Sequence, residues 1–382
     1  MSASPSRRRV GYISGTRADF GLMQATLEAI HHDPRLALGI IATGMHLSRD
    51  HGHTLDDITA SGLPLWATVP VEMNPPTGAT MARNLGQMLG AFVPLLQAHR
   101  PDVVLLLGDR GEMLAGALAA IHLNIPVAHI HGGERSGTVD EPVRHAISKL
   151  SHFHFTATAQ ARERLVRMGE TPEHIWVTGA PGLDGLRELA SIPREAMLSG
   201  VGMGPAERVA LLVFHPVLQE AASAGAQAQG VLDSLRAQGL AVVALLPNAD
   251  AGSEAIRQVL IERQQAGQLH LATHFPRREF VSWMAAADLM VGNSSAGIIE
   301  AASFGTPVVN IGLRQNLRER NANVFDCPAE PAAIAQALDR ALRHGRFPIE
   351  NVYGDGATAP RIVRRLATQP LDAQLLLKTN AY

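Results

Sequence analysis

The sequence predicts an α/β protein made of two parallel-sheet halves, and three observations predict it. Apolar runs with strand character alternate with helix-like runs along most of the chain, the βαβ pattern of a sheet covered on both faces. A chain of 382 residues exceeds what one hydrophobic core usually supports, so two domains of similar size are expected. The polar and glycine-rich segments fall where strands end, the edge at which open parallel sheets bind ligands.

In the first half, strands are expected at 10–13, 38–41, 65–71, 103–107, 127–130, 153–156 and 175–178, and helices at 22–30, 50–60, 81–98, 112–123 and 142–150. The segment 200–207 is rich in glycine and carries Pro205, which sets a linker between Gly182 and Glu207 and splits the chain into 1–185 and 205–360. The second half has strands expected at 209–214, 242–246, 269–273, 289–291 and 308–311, and amphipathic helices at 331–344 and 361–367. No solenoid-length period relates the halves.

Composition narrows the function. Lys plus Arg number 33 against 35 Asp plus Glu, so the basic excess of a nucleic-acid binder is missing. No apolar run approaches membrane-spanning length and the first residues lack an apolar signal core, so a cytoplasmic protein is expected. Cys327 is the single cysteine, which excludes an internal disulfide and a cysteine-based zinc site.

The stretch 291–314, VGNSSAGIIEAASFGTPVVNIGLR, reads as a strand end, a Gly-Asn-Ser-Ser turn, a helix over 296–304, a Gly-Thr-Pro break and another strand. Such a turn aims backbone N–H groups and the Ser294 and Ser295 hydroxyls at one point, as phosphate sites do, although ordinary helix capping uses the same residues. Glu300 offers an acceptor for ribose hydroxyls and Arg314 a fork-shaped cation for a diphosphate. Gly15 to Gly21 (GTRADFG) lacks both the Lys-Ser/Thr ending of a P-loop and the GxG spacing of a dinucleotide site. Its Arg17 opposes the helix dipole, a conflict that a bound anion resolves. Asp109 and Arg110 end one strand, as a loop ion pair or as catalytic groups. His129 and His131 alternate, so their imidazoles are expected to project together, with a metal conceivable and a buried structural role favoured for His129. His152 and His154 share that spacing. Asp140, Glu141 and His145 mark a helix start, and His46, His51 and His53 read as loop histidines in solvent.

The motifs GTRADFG, TGMHLSRDHGHT, LLLGDRGEMLA, HIHGGERSGTVDEPVRHAISKLSHFHF, FHP, NADAGS and VGNSSAGIIEAASFGTPVVNIGLRQ, in this order, resemble the hydrolysing UDP-N-acetylglucosamine 2-epimerases of sialic-acid and related nonulosonic-acid pathways. The resemblance implies a GT-B fold, a segment 361–382 that crosses back to the first half, a UDP-sugar substrate, UDP as product, no cofactor or metal, and a homodimer or homotetramer. It places the nucleotide site on Arg17, Gly21, His46, Arg110, His215, Asn248, Phe280, Ser294, Ser295, Glu300 and Arg314, with Phe280 near the uracil or else in the core. It gives proton transfer to Asp109, His131, Glu134 and Asp140. Some relatives have Glu where this chain has His131, which leaves the choice of acid and base open. The helix over 113–121 is an expected subunit contact. A GT-B glycosyltransferase, a metal-dependent hydrolase on the HxH pair and a non-catalytic nucleotide-sugar sensor are the alternatives.

Overall fold

The computed structural model describes residues 7–381. Continuous apolar runs such as Val103–Leu107, buried at every position, form central parallel strands because helices cover both faces of each sheet. The first sheet has seven strands, β1 (Arg8–Ser14), β2 (Leu36–Thr43), β3 (Leu65–Val69), β4 (Val103–Leu107), β5 (Val127–Ile130), β6 (Phe153–Thr156) and β7 (Ile175–Val177), in the order β3-β2-β1-β4-β5-β6-β7. The second has six, β8 (Val209–Val213), β9 (Ala241–Leu245), β10 (His270–Ala272), β11 (Leu289–Gly292), β12 (Val308–Ile311) and β13 (Val324–Cys327), in the order β10-β9-β8-β11-β12-β13. Every registered pair is parallel. In both sheets the strand order reverses beside the first strand, at β1/β4 and β8/β11, which opens a crevice at the carboxyl ends there. Two Rossmann-like halves so arranged make the GT-B fold.

Several local expectations are corrected. The helix over 50–60 shrinks to Leu55–Ala60, preceded by single 3-10 turns at Gly44–Leu47 and Arg49–His51. The helix over 296–304 is one α-turn, Ser295–Ile299, followed by a 3-10 turn at Ala301–Phe304. The edge strand β13 carries no apolar run, and its first three residues are only partly buried or exposed. The helix Gly111–His122 buries Met113, Ala115, Ala117, Ala119 and Ala120 in the core above Ile13 and Leu106 and leaves Leu114, Leu118 and Ile121 half-buried on its outer side. Between the sheets, Met197 and Leu198 pack under Val209 and Leu211, and Leu183 and Leu186 pack with Val281, Ile298 and Tyr353. That stretch is docked on the second half. The chain then returns: Ile362, Val363 and Leu366 of the helix Thr358–Thr368 join the core formed by Val10, Tyr12 and Met23 of the first half.

One turn fixes the second half's crevice. Gly292 ends β11 with φ at +132°, and a Cβ there would lie 2.0 Å from the Val213 carbonyl oxygen. The close approach lets Asn293 grip the end of β8: its Oδ1 accepts the His215 N–H at 2.8 Å and its Nδ2 donates to the His215 carbonyl at 2.8 Å. Gly292→Ala is therefore expected to destabilise the protein by at least ~2 kcal/mol in denaturant unfolding, through a steric clash and a forced backbone. Gly86→Ala, in a helix where a Cβ meets nothing within 4 Å, serves as control and stabilises by ~0.5–1 kcal/mol. Equal stability of the two variants would refute the assignment.

Candidate active site

Each strand end delivers one part of the site. After β1, Thr16 caps the helix Arg17–His32 in a capping box with Asp19, whose carboxylate accepts the Gly15 and Thr16 N–H groups at 3.0 and 2.7 Å. Asp19 also holds Ser14, and the Ser14 hydroxyl meets His46 Nε2 at 2.9 Å while His46 Nδ1 meets the Thr54 hydroxyl at 2.9 Å. His46 is thus fully buried in a structural hydrogen-bond chain, which corrects its reading as a solvated loop residue. Arg17 stands at the first turn of that helix without a hydrogen-bond acceptor or ion-pair partner among the described residues, and Asp57 is the carboxylate acting on it from a distance. Burial pushes its guanidinium down to about 10.

Three arginines converge on His215. Burial, reinforced by Arg314 and by the more distant Arg110 and Arg17, pushes the His215 imidazole down to about 3, against the pull of Asp250. It is neutral at ordinary pH. Because its Nδ1 accepts the Asn248 N–H at 3.2 Å, its proton resides on Nε2, free to donate. Arg110 comes from the first half and spans the cleft to Asp250 at 3.5 Å, with Glu112 at 3.4 Å on its other side. Arg314 donates to the Asn293 carbonyl at 3.2 Å and has no carboxylate partner among the described residues. Ser294 caps the short helix, its hydroxyl accepting the Ala296 N–H at 3.3 Å, and Ser295 begins that helix. A single α-turn supplies little dipole, so the attraction for an anion resides in the arginines, His215 and the hydroxyls.

Further along, Glu300 is buried and paired with Arg277, which also donates to the Gly182 carbonyl at 3.0 Å. Gly21 lies beside that side chain, where a Cβ would meet Arg277 Cδ at 3.4 Å, an ordinary contact. Phe280 is partly buried against the cores around Met284 and Val281, the packing expected of a helix-core residue.

The acid and base candidates lie across the cleft. His131 takes φ at +63°, which breaks the strand alternation after β5, and the two imidazoles bond different partners. His129 bonds the Gly108 carbonyl at 2.7 Å and Ser148 at 3.1 Å, and burial pushes it down to about 3. The expected HxH pair is therefore not a joint site. His152 and His154 are also structural, bonded to the Val127 N–H at 3.0 Å and to Glu170 at 2.9 Å. No cluster of three or more His, Cys, Asp or Glu side chains among the described residues is placed to hold a metal. His131 Nδ1 bonds Glu134, and the other Glu134 oxygen bonds Arg318 from the second half. Burial alone would push the Glu134 carboxyl up, but His131 and Arg318 outweigh it and bring it down to about 2. Asp109 is paired with the fully buried Arg144, and Arg318 lies 3.9 Å from the same oxygen. Asp140 lines the cleft with Arg314, Asp250, Met81, Val139, Val217 and Leu218.

Arg144, Arg277 and Arg318 are site residues that sequence reasoning misses. Arg144 sits inside a motif already quoted and Arg318 just after another, whereas Arg277 lies outside them all; an arginine on a polar helix face or loop carries no mark of burial. Asp250 stands in a strand-end motif to which the sequence alone attaches no role.

If Arg17 is held for an anion, Arg17→Met will be no less stable than the unmodified protein, because an unpaired, half-buried cation is removed. Its affinity for inorganic pyrophosphate, read by calorimetry, will fall about tenfold or more. Unchanged affinity would remove Arg17 from the site.

The profile of the UDP-N-acetylglucosamine 2-epimerase family matches residues 28–367. A Legionella pneumophila protein named UDP-N,N'-diacetylbacillosamine 2-epimerase (hydrolyzing) is 47% identical, the alignment covering 98% of this chain and 100% of that one. A Neisseria meningitidis UDP-N-acetylglucosamine 2-epimerase is 36% identical, with 92% of each chain covered. Among solved structures, the Neisseria meningitidis UDP-GlcNAc 2-epimerase bound to UDP-GlcNAc superposes with a TM-score of 0.79 at 20% identity, over 94% of this chain and 99% of that one. The chain belongs to the UDP-N-acetylglucosamine 2-epimerase family.

Proposed function

We propose that the protein is a hydrolysing 2-epimerase that converts a UDP-2-acetamido sugar into UDP and the free manno-configured sugar. The observation that carries this reading is the convergence of Arg17, Arg110 and Arg314 from both halves on a neutral His215, opposite a second cluster holding Asp109 and His131. The first cluster suits a departing diphosphate and the second suits proton transfer at the neighbouring carbon. The 47% identity to the Legionella pneumophila protein over the full chain supports the hydrolysing branch and UDP-N,N'-diacetylbacillosamine as substrate. Met81, Val139, Val217 and Leu218 in the cleft wall supply apolar contact for a deoxygenated, acetamido-bearing sugar. UDP-N-acetylglucosamine is the second candidate, from the Neisseria meningitidis relative.

Loss of UDP breaks the C1–O bond and leaves oxocarbenium character that weakens the C2–H bond. Arg17, Arg314 and the His215 Nε2–H stabilise the charge growing on the leaving oxygen, an effect typically worth ~3–4 kcal/mol per well-aimed donor. Asp109, paired with Arg144, starts as a carboxylate and is the base that takes the C2 proton, giving a 2-acetamidoglycal with a C1=C2 bond. Water then adds its oxygen at C1 and loses one proton to solvent, and C2 receives a proton from the opposite face. His131 delivers it: Glu134 takes its Nδ1–H, which leaves Nε2 as the exchanging atom, so Glu134 is a positioning residue. Asp109 releases its proton to solvent, which reprotonates His131 for the next turnover. Asp140, at the cleft wall beside Arg314, orients the sugar. The cytoplasm and a homo-oligomer are the proposed setting, and no helix of the described residues is long and apolar enough to cross a membrane.

The assay is UDP release from each of the two UDP-sugars. Turnover of UDP-N,N'-diacetylbacillosamine is expected to exceed that of UDP-N-acetylglucosamine, and the reverse order would overturn the substrate choice. Asp109→Asn should lower turnover about 10²–10⁴-fold while UDP affinity stays within a few-fold. His131→Ala should still release UDP but yield the glycal in place of epimerised sugar. Near-normal turnover in Asp109→Asn, or complete product from His131→Ala, would refute these roles.

A further inference from the structure

A second cavity lies between the halves, lined by none of Arg17, Arg110 or Arg314. It holds about 280 Å³, near the small end of ligand-binding clefts. Its wall carries four guanidinium groups, Arg135 and Arg164 from the first half and Arg318 and Arg320 from the second, against the single carboxylate of Glu319. Like charges so gathered repel unless something negative joins them.

The protein's own carboxylates neutralise this cluster unevenly. Arg320 is satisfied, clamped on Asp326 at 2.9 Å. Arg318 is turned to Glu134, and its buried Nε has no hydrogen-bond partner among the described residues. Arg164 donates to the Gly133 carbonyl at 2.6 Å, but its nearest carboxylate, Glu319, is 3.9 Å away, and Glu319 is itself bonded to Thr158. Arg135 has Glu141 only at 3.9 Å, with its side chain 46% exposed. Two guanidinium groups therefore keep donors to spare, and one orphaned nitrogen is shielded from water.

We propose that this cavity binds a small phosphate- or carboxylate-bearing anion, and that Arg318 couples its occupancy to the acid–base pair. The wall contains no aromatic ring on which a base would stack, and the volume is small for a second nucleotide sugar, so a compact anion fits best. Arg318 is shared: it lines this cavity and holds Glu134 and Asp109. An anion that draws Arg318 toward itself loosens the carboxylate that orients His131, and turnover falls. The coupling rests on the roles proposed for Glu134 and His131, whereas the binding site does not.

The test uses the full chain saturated with UDP, so that the arginines around His215 are occupied, and inorganic phosphate as probe followed by ³¹P line broadening. Saturable phosphate binding is expected, weakened at least about tenfold by Arg135→Glu and by Arg164→Gln, with melting temperature and UDP affinity unchanged for Arg135→Glu. No binding beyond that of a UDP-saturated protein with both substitutions would overturn the site, whatever the enzyme's activity. In the second arm, phosphate should lower turnover at saturating UDP-sugar in the unmodified protein and not in Arg135→Glu. Phosphate that binds without changing turnover would overturn the coupling and leave the site standing.

Discussion

The structure depends on positive charge that the protein itself leaves under-compensated. Arg17 and Arg314 are held in the cleft with no carboxylate partner among the described residues, and Arg110 shares one across the gap with Asp250. Burying such charge unpaired is costly, so the fold tolerates it only where a ligand completes the pairing. Burial, reinforced by the same field, keeps His215 neutral, which turns its Nε2–H into a donor without adding a charge of its own. Everything that positions these groups is backbone close to glycine: the capping box after Gly15, and the turn at Gly292 that lets Asn293 grip residue 215.

A second electrostatic chain runs through the opposite cluster. Arg144 holds Asp109, Arg318 reaches both Asp109 and Glu134, and Glu134 holds His131. Arg318 belongs to the second half and its carboxylates to the first, so the proposed acid–base pair is held by a contact between the halves. Arg110 with Asp250 makes a second tie of the same kind. In this account, closing the cleft and assembling the proton-transfer groups are one event, which keeps water from an activated sugar until the geometry is right.

The sheets were legible because parallel strands buried on both faces are written as unbroken apolar runs, as in Val103–Leu107 and Val209–Val213. Strand β13 was not, since Val324 and Phe325 are half-buried and Asp326 is exposed at a sheet edge, where no apolar run is required. The HxH reading failed for a local reason: alternation holds only while the backbone stays extended, and His131 leaves the strand at positive φ. His46 shows the converse error, a histidine in a polar loop that is buried because Ser14 and Thr54 satisfy both its nitrogens. The arginines that hold the acid–base groups were invisible because their partners are distant in sequence, Asp109 with Arg144 and Glu134 with Arg318. Only the fold brings them together.

The central claim is that departure of the nucleotide makes C2 exchange its hydrogen with a protein group in contact with solvent. Running the reaction in deuterium oxide and reading the C2 position of the sugar product by NMR and mass spectrometry tests it most directly. The account predicts one solvent deuterium at C2 in essentially every product molecule. Product with inverted C2 that retains the original hydrogen would contradict it.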